Sequence, residues 1–188
     1  MLNEVLENTE RFMSSVPKTK RKKYGQFFTN ETTAKFMASL FCFDLSKQKI
    51  EILDAGAGTG ILAAAVVQKL YELGYVGKIY VTCYETDELV IPLLEENMAL
   101  CNKLRNVSYT IKRGNYITSQ NISNSPLFCS EGFQYDYIIG NPPYMKIAKD
   151  AAEALAIPEV CYGAPNLYFL FWAMGVHNLK AEQELVYI

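Results

Sequence analysis

Ile50-Glu51-Ile52-Leu53-Asp54-Ala55-Gly56-Ala57-Gly58-Thr59-Gly60 decides the fold. Ile50 to Asp54 reads as a short apolar strand that runs into glycines, and Ile61 to Leu73 behind it reads as a helix with Gly74 as its C-cap. Glycines at such a junction let the backbone turn sharply and approach a ligand closely. The same alternation continues outward. Lys78 to Glu85 is a second strand, Glu88 to Leu104 a second helix with Pro92 near its first turn, and Val107 to Lys112 a third strand. Tyr135 to Ile139 is a fourth strand, Asn166 to Leu179 a helix, and Glu184 to Ile188 the start of a fifth strand. Strands separated by helix-length segments argue for parallel pairing through right-handed crossovers. The expected class is therefore α/β: a doubly wound, mostly parallel sheet whose C-terminal strands are truncated at Ile188.

Between these elements the chain is less regular. Residues 1–23 open with a short helix and end in a basic arm carrying Lys18, Lys20, Arg21, Lys22 and Lys23; residues 24–188 make one domain. Thr29 is placed as the N-cap of a helix running from Ala34 to Phe43. Asn115 to Glu131 is polar and aperiodic, an irregular connection, and Lys146 to Pro165 is a long loop with one short helix.

At 188 residues the chain suits a single domain with a sizeable core. Half of it is hydrophobic and a fifth is charged, a globular soluble composition. The net charge of −2 conceals the local basic cluster. No apolar run reaches the ~18 residues that span a bilayer. Met1 to Arg11 alternates acids with short apolar residues, unlike a signal peptide. Five cysteines, at 42, 83, 101, 129 and 161, form no Cys-x-x-Cys pair, which argues against a zinc site or a disulfide framework. No metal is expected. Cys42, Cys83 and Cys101 are expected as small core residues, Trp172 as core, and His177 as a packing residue in a cytoplasmic, reduced setting.

In doubly wound sheets, ligands bind outside the carboxyl ends of the strands where strand order reverses. Four unusual stretches fall there. Asp54 directly precedes Gly56, Gly58 and Gly60; a carboxylate suits a cationic amino group and would repel a pyrophosphate. That favours S-adenosylmethionine, a zwitterionic amino acid joined to adenosine, over a dinucleotide. Glu85 ends the second strand, where an acid can take both ribose hydroxyls. Asp87 suits the cap of the next helix. Asn115 and Tyr116 follow the third strand, where an amide could read the adenine edge and a ring cover its face; ordinary turn chemistry explains the pair equally well.

The fourth stretch is Asn141-Pro142-Pro143-Tyr144. Proline has no N–H and a fixed φ, so the corner is stiff and the Pro142 carbonyl can point outward as an acceptor. Asn141, preceding a proline, is driven away from helical geometry. Its side-chain oxygen and the Pro142 carbonyl can then accept from one NH2 group, while Tyr144 stacks on the flat group that carries it.

These residues resemble the N6-adenine DNA methyltransferases of bacterial restriction–modification systems, in the subgroup whose cofactor motifs precede Asn-Pro-Pro-Tyr. The resemblance covers nearly all of residues 20–188 and implies a Rossmann-like, S-adenosylmethionine-dependent catalytic domain over 24–188. Tyr24-Gly-Gln-Phe-Phe-Thr29 resembles the family's N-terminal motif, which implies that Tyr24 and Thr29 bind the cofactor. Asp54 to Gly60 resembles the glycine-rich motif, Glu85 the ribose acid, and Asn166-Leu-Tyr-Phe-Leu-Phe171 the helix beside the catalytic turn. Where the family usually has Asp, this chain has Asn115, whose amide oxygen can still accept. The resemblance implies methylation of adenine N6 in DNA, with the target base flipped from the duplex onto Tyr144. It also implies a recognition domain or subunit that this chain lacks. The basic run fits either phosphate contact or a solvated arm. Two other readings remain: a methyltransferase for an RNA base or a protein glutamine, whose amide suits the same corner, and a cofactor-binding module inactive alone.

Overall fold

The computed structural model describes residues 1–19, 29–120, 135–161 and 163–188. Strands β1 (Lys49–Ala55), β2 (Lys78–Glu85), β3 (Val107–Arg113), β4 (Tyr135–Gly140) and β5 (Leu179–Tyr187) form one sheet in the order β3-β2-β1-β4-β5. All of its pairings are parallel. The helices are α1 (Leu2–Ser15), α2 (Glu31–Ser39), α3 (Ile61–Glu72), α4 (Ile91–Asn102), α5 (Ala152–Ala156) and α6 (Leu167–Asn178). The chain steps from β1 out to β3 and then resumes at β4 on the other side of β1. Strand order reverses between β1 and β4, which opens a crevice above their carboxyl ends.

Two buried clusters lie on the two faces of the sheet. Ile50 and Ile52 of β1 join one, with Met37, Val66, Leu70 and Met98 from the helices. Leu53 and Ala55 join the other, with Leu170, Phe171 and Met174 of α6. A strand covered on both faces has no need of polar alternation, which is why β1 and β4 read as continuous apolar runs. Helix α3 buries eight of its twelve residues. It stops in a Schellman turn: Gly74 adopts φ +76° and Tyr75 N–H donates to Leu70 O at 3.0 Å.

Several elements depart from the sequence reading. The N-cap of α2 is Asn30 rather than Thr29, since Asn30 Oδ1 accepts from Thr33 N–H at 2.8 Å. That helix ends at Ser39 instead of Phe43, because Phe41 and Phe43 turn inward to pack edge-on against Tyr137. Cys42 between them faces solvent, and its N–H donates to Glu184 Oε2. Cys83 and Cys101 are buried. Trp172 is also a surface residue, because Leu167, Leu170, Phe171 and Met174 already fill the inner stripe of α6. Strand β5 begins at Leu179, five residues before the expected Glu184. Its polar opening, with Glu182 at φ +60° and a register shift against β4, hides it from pattern reading.

Helix α1 is longer than its sequence suggests and is docked. Leu2, Val5 and Thr9 are buried against α3 and α4, and burying each aliphatic side chain contributes about 1.5–3 kcal/mol. Of the basic run, Lys20 to Lys23 lie outside the described residues, as do Tyr24 and the later part of the irregular connection.

Candidate active site at the carboxyl edge of the sheet

A cleft of about 310 Å³ crosses the carboxyl ends of β4, β1, β2 and β3, within the range of small-molecule sites. Its walls include Thr29, Gly56, Gly58, Glu85, Asn115, Tyr116, Asn141 and Pro143. Sequence-distant residues thus converge because parallel strands place all their carboxyl ends on one edge.

The glycine loop is tied to β2 before any ligand arrives. The N–H groups of Gly56 and Ala57 both donate to Tyr84 O at 2.9 Å. Gly60 has φ +81°, and a Cβ there would lie 2.8 Å from Leu94 Cδ1 and Met98 Cε. This glycine therefore serves loop packing against α4 and stands behind the cleft wall.

Glu85 is buried and already engaged. Its Oε2 accepts from Gly58 N–H at 2.8 Å, and its Oε1 accepts from Thr86 and Asp87 N–H at 2.7 and 2.8 Å. A carboxylate offers about four acceptor positions, so roughly one remains. A bidentate grip on two hydroxyls therefore requires one N–H to be released. Asp87 caps the following turn through Leu89 N–H.

Asp54 lies beneath the loop, outside the cleft wall. Its Oδ2 accepts from Ala63 N–H at 3.1 Å in the first turn of α3, where the helix dipole favours an anion. Its Oδ1 is buried without a partner among the described residues. Burial, reinforced by the Glu85 charge and opposed by the Ala63 N–H, pushes its pKa up to about 7.

After β3, Asn115 does two things. Its Oδ1 accepts from Ile117 and Thr118 N–H at 2.9 and 3.2 Å, which caps the turn, and its Nδ2 donates to Glu153 Oε1 at 2.7 Å. Glu153 comes from α5 and also lines the cleft. Tyr116 is 2 % exposed, packed edge-on against Tyr84, with its hydroxyl accepting from Asn178 Nδ2. It is a core ring with one margin in the cleft rather than an open stacking platform.

The diproline corner follows β4. Asn141 and Pro143 face the cleft, Pro142 is buried, and Tyr144 turns outward to stack on Tyr168, with ring centroids 4.9 Å apart. The next residues pin this corner to α6: Ile147 N–H donates to Pro165 O and Leu167 N–H to Met145 O.

Sequence reading missed the brace behind the loop. Asn97 of α4, fully buried, donates through Nδ2 to Thr59 O at 2.8 Å and accepts from Asn8 at 3.1 Å. Thr9 Oγ1 of α1, which donates to Val5 O, is hydrogen-bonded to Thr59 Oγ1 at 3.0 Å. A signal existed for Asn97, since it occupies the apolar stripe between Leu94 and Met98. Glu153 carried none, sitting in a segment read as loop.

The family model described as N-6 DNA Methylase matches residues 5–155. The type II methyltransferase M.PstI of Providencia stuartii is 35% identical over 93% of this chain and 34% of its own length. M.BsuBI of Bacillus subtilis is 29% identical over 100% of the chain and 38% of its own. A release factor glutamine methyltransferase of Fusobacterium nucleatum is 33% identical over 77% of the chain and 35% of its own. The chain thus spans about a third of the length of the curated relatives it matches. A solved structure from Listeria monocytogenes, assigned to the class I S-adenosylmethionine-dependent methyltransferases, superposes with a TM-score of 0.65. It covers 87% of this chain and 46% of that one at 20% identity, a likeness of fold.

Proposed function

The chain belongs to the N-6 DNA methylase family, and from that membership we propose that it methylates N6 of adenine in DNA within a restriction–modification system. The observation that carries this reading is the meeting of Asn141 and Pro143 with Gly56, Gly58 and Glu85 around one cleft.

S-adenosylmethionine fits these residues. The cleft is of small-molecule size, Gly56 and Gly58 line it with backbone, and beneath their loop lies the Asp54 carboxyl, one oxygen of which has no partner among the described residues; a bound ammonium would favour its ionised form. Glu85 would hold the ribose, Thr29 and, through its field, Asp54 the amino-acid end, with Tyr24 contributing from the N-terminal motif. When bound, the cofactor supplies an electrophilic methyl group on its sulfonium. The chain's own work is on the nucleophile. Adenine N6 is poorly nucleophilic because its lone pair is delocalised into the ring. The Asn141 side-chain oxygen and the Pro142 carbonyl accept its two N–H groups and draw the nitrogen toward tetrahedral geometry. Positive charge develops on that nitrogen during attack, so fixed acceptors stabilise the transition state more than the ground state. Pro143 stiffens the corner that aims them. A flipped adenine reaches this depth of the edge, and Tyr144 stacks on it after parting from Tyr168. Choice of target sequence is assigned to a recognition domain or subunit outside residues 1–188, and the setting to the cytoplasm. Among the described residues, no helix is long and apolar enough to cross a membrane.

Asn141→Ala is expected to lower methyl transfer at least about a hundredfold, as removal of one oriented transition-state partner does, with cofactor Kd changed by less than about threefold. Tritium transfer and calorimetry on the same preparations measure the two. Equal loss of both would remove Asn141 from catalysis. A glutamine amide presents the same planar NH2 group as adenine, and a release factor glutamine methyltransferase is among the relatives, so protein glutamine is the control substrate class. Labelling of DNA, RNA and protein pools separates the two: label on adenine N6 supports the proposal, label on protein glutamine counts against it. Tight cofactor binding with no label anywhere marks a binding module.

A further inference from the structure

The cleft has a defined direction. Asn141 follows β4, Gly56 and Gly58 follow β1, Glu85 ends β2, and Asn115 follows β3. On the proposed function, the reactive centre faces Asn141 and the ribose meets Glu85. The adenine of the cofactor therefore lies at the β3 end, beside Asn115 and Glu153.

An adenine edge presents an exocyclic NH2 donor there and needs an acceptor. Asn115 cannot supply one, because its Oδ1 is taken by two backbone N–H groups and its other atom is a donor. That donor is bound to Glu153 Oε1 at 2.7 Å. Glu153 Oε2 takes no hydrogen bond from the described residues and belongs to a side chain on the cleft wall. We propose that Glu153 is the residue that recognises the amino group of the cofactor's adenine, with Asn115 as the positioning residue that holds its carboxylate in place. This rests on the S-adenosylmethionine reading above and adds an acceptor carried by α5, on the segment that follows the catalytic corner. Recognition of the cofactor's base and placement of the catalytic corner thus share one stretch of chain.

The test compares by calorimetry two ligands that differ at that edge of the base, S-adenosylhomocysteine and S-inosylhomocysteine, the second carrying a carbonyl in place of the amine and an N–H at the adjacent N1. A carboxylate accepts from the adenine amine and repels the carbonyl oxygen of hypoxanthine, so the unmodified chain is expected to prefer the adenosyl ligand by about tenfold or more. Glu153→Ala should bring the two affinities to within about threefold, chiefly by weakening the adenosyl ligand. Glu153→Gln, close to isosteric and able to donate as well as accept, should narrow the gap by strengthening the inosyl ligand. Retention of the unmodified preference by both variants would overturn the assignment while leaving the cofactor reading intact. Failure of the unmodified chain to bind either ligand would overturn both.

Discussion

At the scale of single residues, the edge of this sheet is organised by occupied acceptors. Glu85 and Asn115 stand at strand ends where a ligand is expected, yet most of their lone pairs already serve backbone N–H groups. Such pre-use costs little in adaptability and holds the loops in one conformation, which reduces what binding must order. It also makes the pair Asn115 and Glu153 sensitive to charge. Asn115→Asp keeps the turn cap but sets a second carboxylate about where the amide now donates at 2.7 Å. Like charges at that separation disfavour double ionisation. Cofactor Kd for Asn115→Asp is expected to rise about tenfold, and the double variant with Glu153→Gln to recover most of the loss, because the new carboxylate then accepts from the glutamine amide. Binding titrations on the three variants check this, and no recovery in the double variant would count against a direct contact.

At the scale of elements, the glycine loop is shaped from behind. Helices α1 and α4 grip Thr59 from two sides, through Thr9 and Asn97. Asn97→Ala would take this partner from the Thr59 carbonyl and leave the Asn8 amide with Glu96 Oε1. The expected cost is roughly 1–3 kcal/mol of stability together with weaker cofactor binding. Asn106 offers the comparison, since it makes an equivalent bond to Gly77 O at 2.8 Å at the far end of the sheet. Asn106→Ala is expected to destabilise similarly without changing cofactor Kd. Denaturant midpoints and Kd values on both variants separate support of the loop from general stability. Unchanged affinity in Asn97→Ala would show that the brace serves folding alone.

For the whole molecule, two buried carboxylates at opposite ends of the sheet give opposite pH dependence. Asp136, 2 % exposed, contacts Lys47 Nζ at 2.6 Å, Lys180 Nζ at 3.1 Å and Glu51 N–H at 2.8 Å. Burial opposes its ionisation, but these partners outweigh burial and hold its pKa below the usual value. Its contribution is present above the ordinary aspartate pKa and is lost as pH falls through the lowered one. Asp54 has the reverse sign. With a folded pKa of about 7, it keeps a proton that the unfolded chain releases above about 4. Stability of the ligand-free chain should therefore fall as pH rises from about 4 to 7 and level off beyond. Asp54→Asn should flatten that decline, which thermal midpoints at pH 5, 6, 7 and 8 would reveal. Equal slopes would mean that Asp54 is ionised throughout. Much of this architecture was legible in the chain. The apolar runs of β1, β2 and β4, the glycines between β1 and α3, and the diproline corner are local patterns, and parallel crossovers follow from their order. Those patterns also brought Glu85, Asn115 and Asn141 to one edge. What the amino-acid order could not yield depends on neighbours distant along the chain. Phe41 and Phe43 end α2 because Tyr137 receives them, and β5 starts early because its polar opening carries Lys180, which pairs with Glu51 and Asp136. Glu153 enters the cleft because α5 folds back toward β3. Local sequence determined which elements form and which edge they share; the tertiary structure alone decided which polar atoms there remain available, since hydrogen bonds between remote segments consume them.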